Sequence, residues 1–131
     1  MKSRSFIALG ILTPLLTAGI ALAGARGGQM VSLYVDDDGL LAANGSLLAT
    51  RQSVDSLAHI GCWVQVYADG HRVATCSARD ASGATRSCMT EHPGMIKNAL
   101  SLNSAGYVYF SLNADGSTCD RVIAVNASYN L

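Results

Sequence analysis

The chain has 131 residues, of which half are hydrophobic and only 14% are charged, with nine basic and nine acidic side chains. Once an N-terminal leader is set aside, acidic groups exceed basic ones by two, so no basic stripe is left to meet a phosphate backbone and nucleic-acid binding is disfavoured. The length allows one domain rather than two, and the scarcity of charge leaves surface polarity to Ser, Thr, Asn and Gly.

Lys2 and Arg4 give the chain a positive start, and Phe6 to Ala23 is then almost wholly apolar and uncharged. Ala21-Leu22-Ala23 is a small-x-small cleavage signature, repeated two residues on by Ala23-Gly24-Ala25. This is the pattern of a secretory signal peptide over residues 1–23, leaving a single domain over 24–131. The alternative is an uncleaved anchor, since the apolar run approaches spanning length. Pro14, the glycines Gly10, Gly19 and Gly24, and the cleavage motif favour removal. No cysteine follows the run, which speaks against a lipid-modified N-terminus. The chain is expected to be secreted or periplasmic, without a stable membrane span once the leader is cleaved.

Beyond the leader the dominant signal is short β runs punctuated by glycine turns. Gln29 to Val35 alternates and ends at Asp36-Asp37-Asp38-Gly39. Leu40 to Leu57 is ambiguous between a strand and a short helix, and Asn44-Gly45 reads as a turn. Ile60 to Tyr67, Arg72 to Arg79 and Tyr107 to Leu112 end at Ala68-Asp69-Gly70, Ala81-Ser82-Gly83 and Ala114-Asp115-Gly116. A type I turn followed by a left-handed glycine makes a three-residue hairpin loop with a bulge. With Ala68-Asp69-Gly70 as such a loop, Tyr67 faces His71 and Cys62 faces Cys76. One face of that hairpin then reads Ile60, Cys62, Val64, Val66, Ala74, Cys76, Ala78, and is core-like. The same loop at Ala81-Ser82-Gly83 sets Cys76 against Cys88.

The four cysteines, Cys62, Cys76, Cys88 and Cys119, all lie outside the leader. A small exported domain gains stability by pairing such thiols. Cys62–Cys76 with Cys88–Cys119, and Cys76–Cys88 with Cys62–Cys119, are both open. Cys62–Cys88 would have to reach over the central strand. A zinc site is disfavoured because no C-x-x-C or H-x-x-x-H spacing is present. One helix is expected from Pro93, with Met95, Ile96, Ala99, Leu100 and Leu102 as its apolar stripe and Asn103 to Gly106 as its stop. The fold class is therefore mainly β: an antiparallel hairpin and meander sheet, sandwich-like, with one short helix and two disulfides.

The chemistry-bearing residues are few. There is no G-x-S-x-G elbow, H-E-x-x-H helix or phosphate-cradling loop. His59, His71 and His92 each sit where a solvated histidine is ordinary, and pairing removes the thiol nucleophiles. No catalytic residue, metal ligand or cofactor is assigned. Asp36-Asp37-Asp38-Gly39 could grip a calcium ion, but lacks the alternating spacing and distal glutamate of an EF-hand loop, and reads better as a soluble turn. Asn44-Gly45-Ser46 and Asn126-Ala127-Ser128 match the N-glycosylation acceptor. The most suggestive set is the hairpin face opposite the core: Trp63, Gln65, Tyr67 and His71, with Val73, Thr75 and Ser77. Two aromatics with polar tips could contact a protein or carbohydrate ligand, unless a second sheet or the N-terminal segment covers them. Tyr107 and Tyr109 beside Arg121 raise the same question for the last hairpin.

The order Cys76-Ser77-Ala78-Arg79-Asp80-Ala81-Ser82-Gly83, Cys88, Thr90-Glu91-His92-Pro93, Tyr107-Val108-Tyr109-Phe110 and Cys119 resembles small secreted bacterial proteins of unknown function with a C-x-A-x-D-x-x-G…C…P…Y-x-x-F…C pattern. The resemblance covers roughly Ile60 to Val125 and implies export and paired cysteines, without an activity. The expectation is an exported, non-catalytic binding or accessory protein. A small secreted hydrolase is the runner-up, and an inhibitor of a secreted enzyme the third reading.

Overall fold

The computed structural model describes residues 30–127. The expected leader, its cleavage motif and Gln29 lie outside the described residues. In chain order the elements are β1 (Ser32–Val35), β2 (Leu41–Ser46), α1 (Leu47–Arg51), β3 (His59–Val66), β4 (Arg72–Arg79), β5 (Thr85–Thr90), α2 (Pro93–Ser101), β6 (Tyr107–Leu112) and β7 (Cys119–Val125). They form two antiparallel sheets: a four-stranded one in the order β1-β2-β6-β7 and a three-stranded one in the order β3-β4-β5.

Hairpin register follows from the loops. The Tyr67 N–H donates to the His71 carbonyl at 2.8 Å and the Gly70 N–H to the Tyr67 carbonyl at 2.9 Å, with Gly70 at φ 86°. Only glycine takes that conformation without strain, so the three-residue loop is locked. Pairing then runs back through Val66–Arg72 and Val64–Ala74 to Cys62–Cys76. The loop at residues 81–83 repeats the pattern, with the Asp80 N–H on the Ala84 carbonyl, and sets Cys76 opposite Cys88. The β6–β7 loop is one residue longer, closed by the Asn113 N–H on the Thr118 carbonyl, and the ladder shifts register beside it at Ser111/Leu112.

The inner faces of the two sheets share one core. Val31, Ala43, Val108, Phe110, Leu112 and Val122 from the larger sheet meet Ile60, Cys76, Ala78 and Cys88 from the smaller. A second cluster places Ile96 and Ala99 of α2 on Ala74, with Cys62 and Val64 alongside. One face of β3-β4-β5 is thus covered by the larger sheet over one half and by α2 over the other. The disulfides are Cys62–Cys76, within the first hairpin, and Cys88–Cys119, which ties β5 to β7 and so one sheet to the other. Cys62 and Cys76 fall at a non-hydrogen-bonded pair, counting by alternation from Tyr67–His71, where opposed Cα atoms approach most closely; theirs are 4.0 Å apart.

Three expectations need correction. Asn44-Gly45 is not a turn but the middle of β2. A Cβ at Gly45 would lie 3.2 Å from the Val31 Cα and 3.3 Å from Ile60 Cγ2, so this glycine admits a close approach between layers. Leu40 to Leu57 is strand and helix in succession, because Ser46 ends β2 and caps α1: its Oγ accepts the Ala49 N–H. The described residues hold two helices where one was expected. Leu100 and Val66, both expected in the core, are exposed, Leu100 on the outer side of α2 and Val66 at the end of β3.

Asp115 shows what the turn carboxylates contribute. The Thr118 hydroxyl donates to it, as do the Thr118 and Ser117 backbone N–H groups, and these bonds pull its pKa from 3.8 down to about 2. Because the folded value is depressed, the stabilisation is fully present above the ordinary value and is lost as pH falls through the folded one. Thermal midpoints followed by circular dichroism should fall as pH is lowered from 3.8 towards about 2, and Asp115→Asn should flatten part of that slope. Asp36 and Asp80 are shifted the same way, chiefly by the Leu40 N–H and the Ser82 hydroxyl respectively, and keep the remainder. An unchanged slope in Asp115→Asn would contradict this assignment.

Candidate functional site

Alternation along β3 sends Trp63, Gln65 and Tyr67 to the side away from the Cys62–Cys76 bridge, and no described element covers that side. Trp63 is 51% exposed, Tyr67 50% and Met89 52%. Trp63, Thr75 and Met89 stand in register across β3, β4 and β5, so a row of side chains crosses the sheet. Thr75 is buried on this open side, between those two large neighbours in the row. Gln65 opposes Val73 in the next row, and Tyr67 faces His71 across the loop, their ring centroids 5.5 Å apart. His71 Nε2 lies 3.3 Å from Glu91 Oε1, with both side chains open to solvent.

A depression of about 430 Å³ runs between these rows, lined by Gln65, Tyr67, Val73, Met89, Glu91 and Thr118 among others. The structure therefore brings Gln65, Tyr67 and His71 together at or beside one concavity and sets Trp63 next to it on the same face, outside the lining. Met89 and Glu91 were missed by sequence reasoning, although the Cys76–Cys88 register already placed Met89 opposite Thr75. Thr118 was not accessible to such reasoning. It arrives through a contact between sheets, in which the Met89 N–H donates to the Ser117 carbonyl at 2.9 Å.

The other histidines have local duties. His92 caps α2, its Nδ1 accepting the Gly94 N–H at 3.2 Å, and Pro93 supplies the fixed φ of the first helical residue. His59 opens β3 beside Thr50 and Arg51, lining a small hollow of about 200 Å³.

On the outer face of the larger sheet the polar groups largely engage one another, although the buried Asn44 Oδ1 has no partner among the described residues. Asp36 Oδ1 accepts the Asp38 and Leu40 N–H groups, and its Oδ2 accepts the Tyr109 hydroxyl at 2.9 Å. Asp38 meets Arg121 at 3.5 Å, and Asn44 Nδ2 donates to the Tyr34 hydroxyl. Burial raises the hydroxyl pKa values of Tyr107 and Tyr109. The first of the three aspartates is thus engaged in closing the turn. The Asn44 acceptor motif lies inside β2 with its asparagine 9% exposed, closed to a glycan. Asn126 holds the chain end to α2 through the Ser101 carbonyl, and Ser128 of its motif lies outside the described residues.

No described helix is long and apolar enough to cross a membrane. No family model, curated protein or solved structure matches this chain.

Proposed function

We propose that this is an exported, non-catalytic binding or accessory protein that captures an extended, uncharged ligand on the outer face of β3-β4-β5, with a glycan chain as the best fit. The observation that carries this reading is the exposure of Trp63, Tyr67 and Met89 on a sheet face whose other side packs into the core over most of its length. Monomeric proteins rarely leave large aromatic side chains grouped in the open without a use for them. Tyr67 follows Trp63 by four residues, directly after the last residue of β3, so extended chain sets them roughly 13 Å apart with Gln65 between them. Aromatic faces for stacking, an amide between them and the hydroxyls of Ser77, Ser87 and Thr118 nearby suit a neutral polyhydroxylated chain. Export rests on the leader pattern and on the two disulfides.

The test is capture of neutral oligosaccharides on a glycan array, alongside immobilised uncharged peptides. Trp63→Ala should fold normally, since the side chain is half exposed, and should weaken capture at least about tenfold, the loss expected of an aromatic anchor. Undiminished capture by Trp63→Ala and Tyr67→Ala would place the site elsewhere. The His71–Glu91 pair favours a second reading, a small hydrolase with His71 as general base. Turnover of a captured glycan that disappears in His71→Ala would support it over the first.

A further inference from the structure

We infer that β3 is a self-association edge, through which two copies of this chain pair antiparallel about Trp63. β3 ends its sheet, with β4 on one side only. The Tyr67–His71 hydrogen bond sets the alternation, so Gln65, Trp63 and Gly61 bond to β4 while the main-chain groups of Val66, Val64, Cys62 and Ile60 point outward. Among the described residues no backbone hydrogen bond runs from that edge to another element. Proteins ordinarily blunt such edges with charges, prolines or bulges. β1 runs straight into Asp36-Asp37-Asp38, β7 carries Asp120 and Arg121, and β5 is met by the Ser117 carbonyl. His59–Val66 has none of these defences: it holds no Asp, Glu, Lys, Arg or Pro and pairs in unbroken register.

The occupant that fits is a second copy, because the edge is complementary to itself. An antiparallel two-fold centred on Trp63 matches Ile60 with Val66 of the second copy and Cys62 with Val64 of the second copy, and the reverse. Every outward donor and acceptor of the strand is used. Moving the centre to Cys62 or Val64 leaves an end residue unmatched. Uncharged side chains meet uncharged ones throughout, and Trp63 packs beside Trp63 of the second copy on the open face. The paired sheets become one six-stranded surface with two aromatic rows side by side. A single strand pairing is a small interface, so the dimer belongs to the weak, transient class, with dissociation roughly in the micromolar range. Pairing through β3 needs no ligand and is measured without one.

The experiment is amide hydrogen exchange by NMR on the oxidised protein at low and high micromolar concentration, with light scattering on the same samples. The expected result is a concentration-dependent dimer in which the Ile60, Cys62, Val64 and Val66 amides slow at least about tenfold, while Gly61, Trp63 and Gln65 do not change. Val66→Lys, at a position 63% exposed and so tolerated by the fold, should return the monomer and fast exchange. A monomer throughout the range would overturn the inference. So would a dimer that leaves these amides unprotected, protection that does not depend on concentration, or a Val66→Lys protein that still pairs through this edge.

Discussion

Replacing Cys88 and Cys119 together by alanine should lower unfolding free energy by about 4 kcal/mol, more than the corresponding change at Cys62 and Cys76. The larger bond closes 31 residues and the smaller 14, and the chain-entropy relation gives about 4 and about 3 kcal/mol for loops of these lengths. Topology widens the gap. Cys62 and Cys76 are already opposed in a hairpin whose register is held by the loop at residues 68–70, so their bond adds little that local pairing does not supply. Cys88–Cys119 joins β5 to β7 across the two sheets, where the backbone connection is slight: the Met89 N–H on the Ser117 carbonyl and a single bridge to Thr118. Equilibrium urea unfolding of the two double variants checks the order, and a larger loss from Cys62 and Cys76 would contradict it. Against a total of about 5–15 kcal/mol for a typical domain, loss of the inter-sheet bond should leave the protein only marginally folded.

Phe110→Ala should be comparably damaging. Phe110 is fully buried at the centre of the shared core, on β6 between β2 and β7 and facing the smaller sheet. The cluster it belongs to mixes Ala43, Ala78, Val108 and Val122 with Ile60, Leu112 and the cystines, most of them on strands of fixed register that cannot close in fully on the space of a lost ring. The expected loss is about 3–5 kcal/mol, the range for a buried phenylalanine that leaves a cavity. Leu100→Ala, at an exposed site on α2, is the control and should change stability little. The two are compared by urea midpoint, and similar losses would mean that the core has been misplaced.

Local physics was legible in the sequence, and assembly was not. The registers of β3, β4 and β5 follow from two loop lengths and a period of two, so Tyr67–His71, Cys62–Cys76 and Cys76–Cys88 could be paired on paper. That period also sends Trp63 away from the disulfide. Whether its side would be covered depended on the larger sheet, whose order places β6 beside β2. Nothing local announces that pairing, which is also why Gly45 passed for a turn residue when it serves a contact with Val31 and Ile60. The choice between disulfide pairings was open for the same reason. Cys119 reaches Cys88 only after β7 has been set against β5 by the meeting of the sheets. Of the candidate site, the row Trp63–Thr75–Met89 was implicit in the hairpins, whereas Thr118 enters from a different sheet.

Trp63, the single tryptophan of the chain, reports directly on the open aromatic face. The decisive measurement is acrylamide quenching of its fluorescence in the oxidised protein, below micromolar concentration so that copies are apart, with and without a neutral oligosaccharide identified on the array. Red-shifted emission and quenching close to that of the denatured chain are expected, followed by a blue shift and protection when the oligosaccharide is added. Blue-shifted, protected emission in the protein alone would show the face to be covered and would contradict a binding role for it.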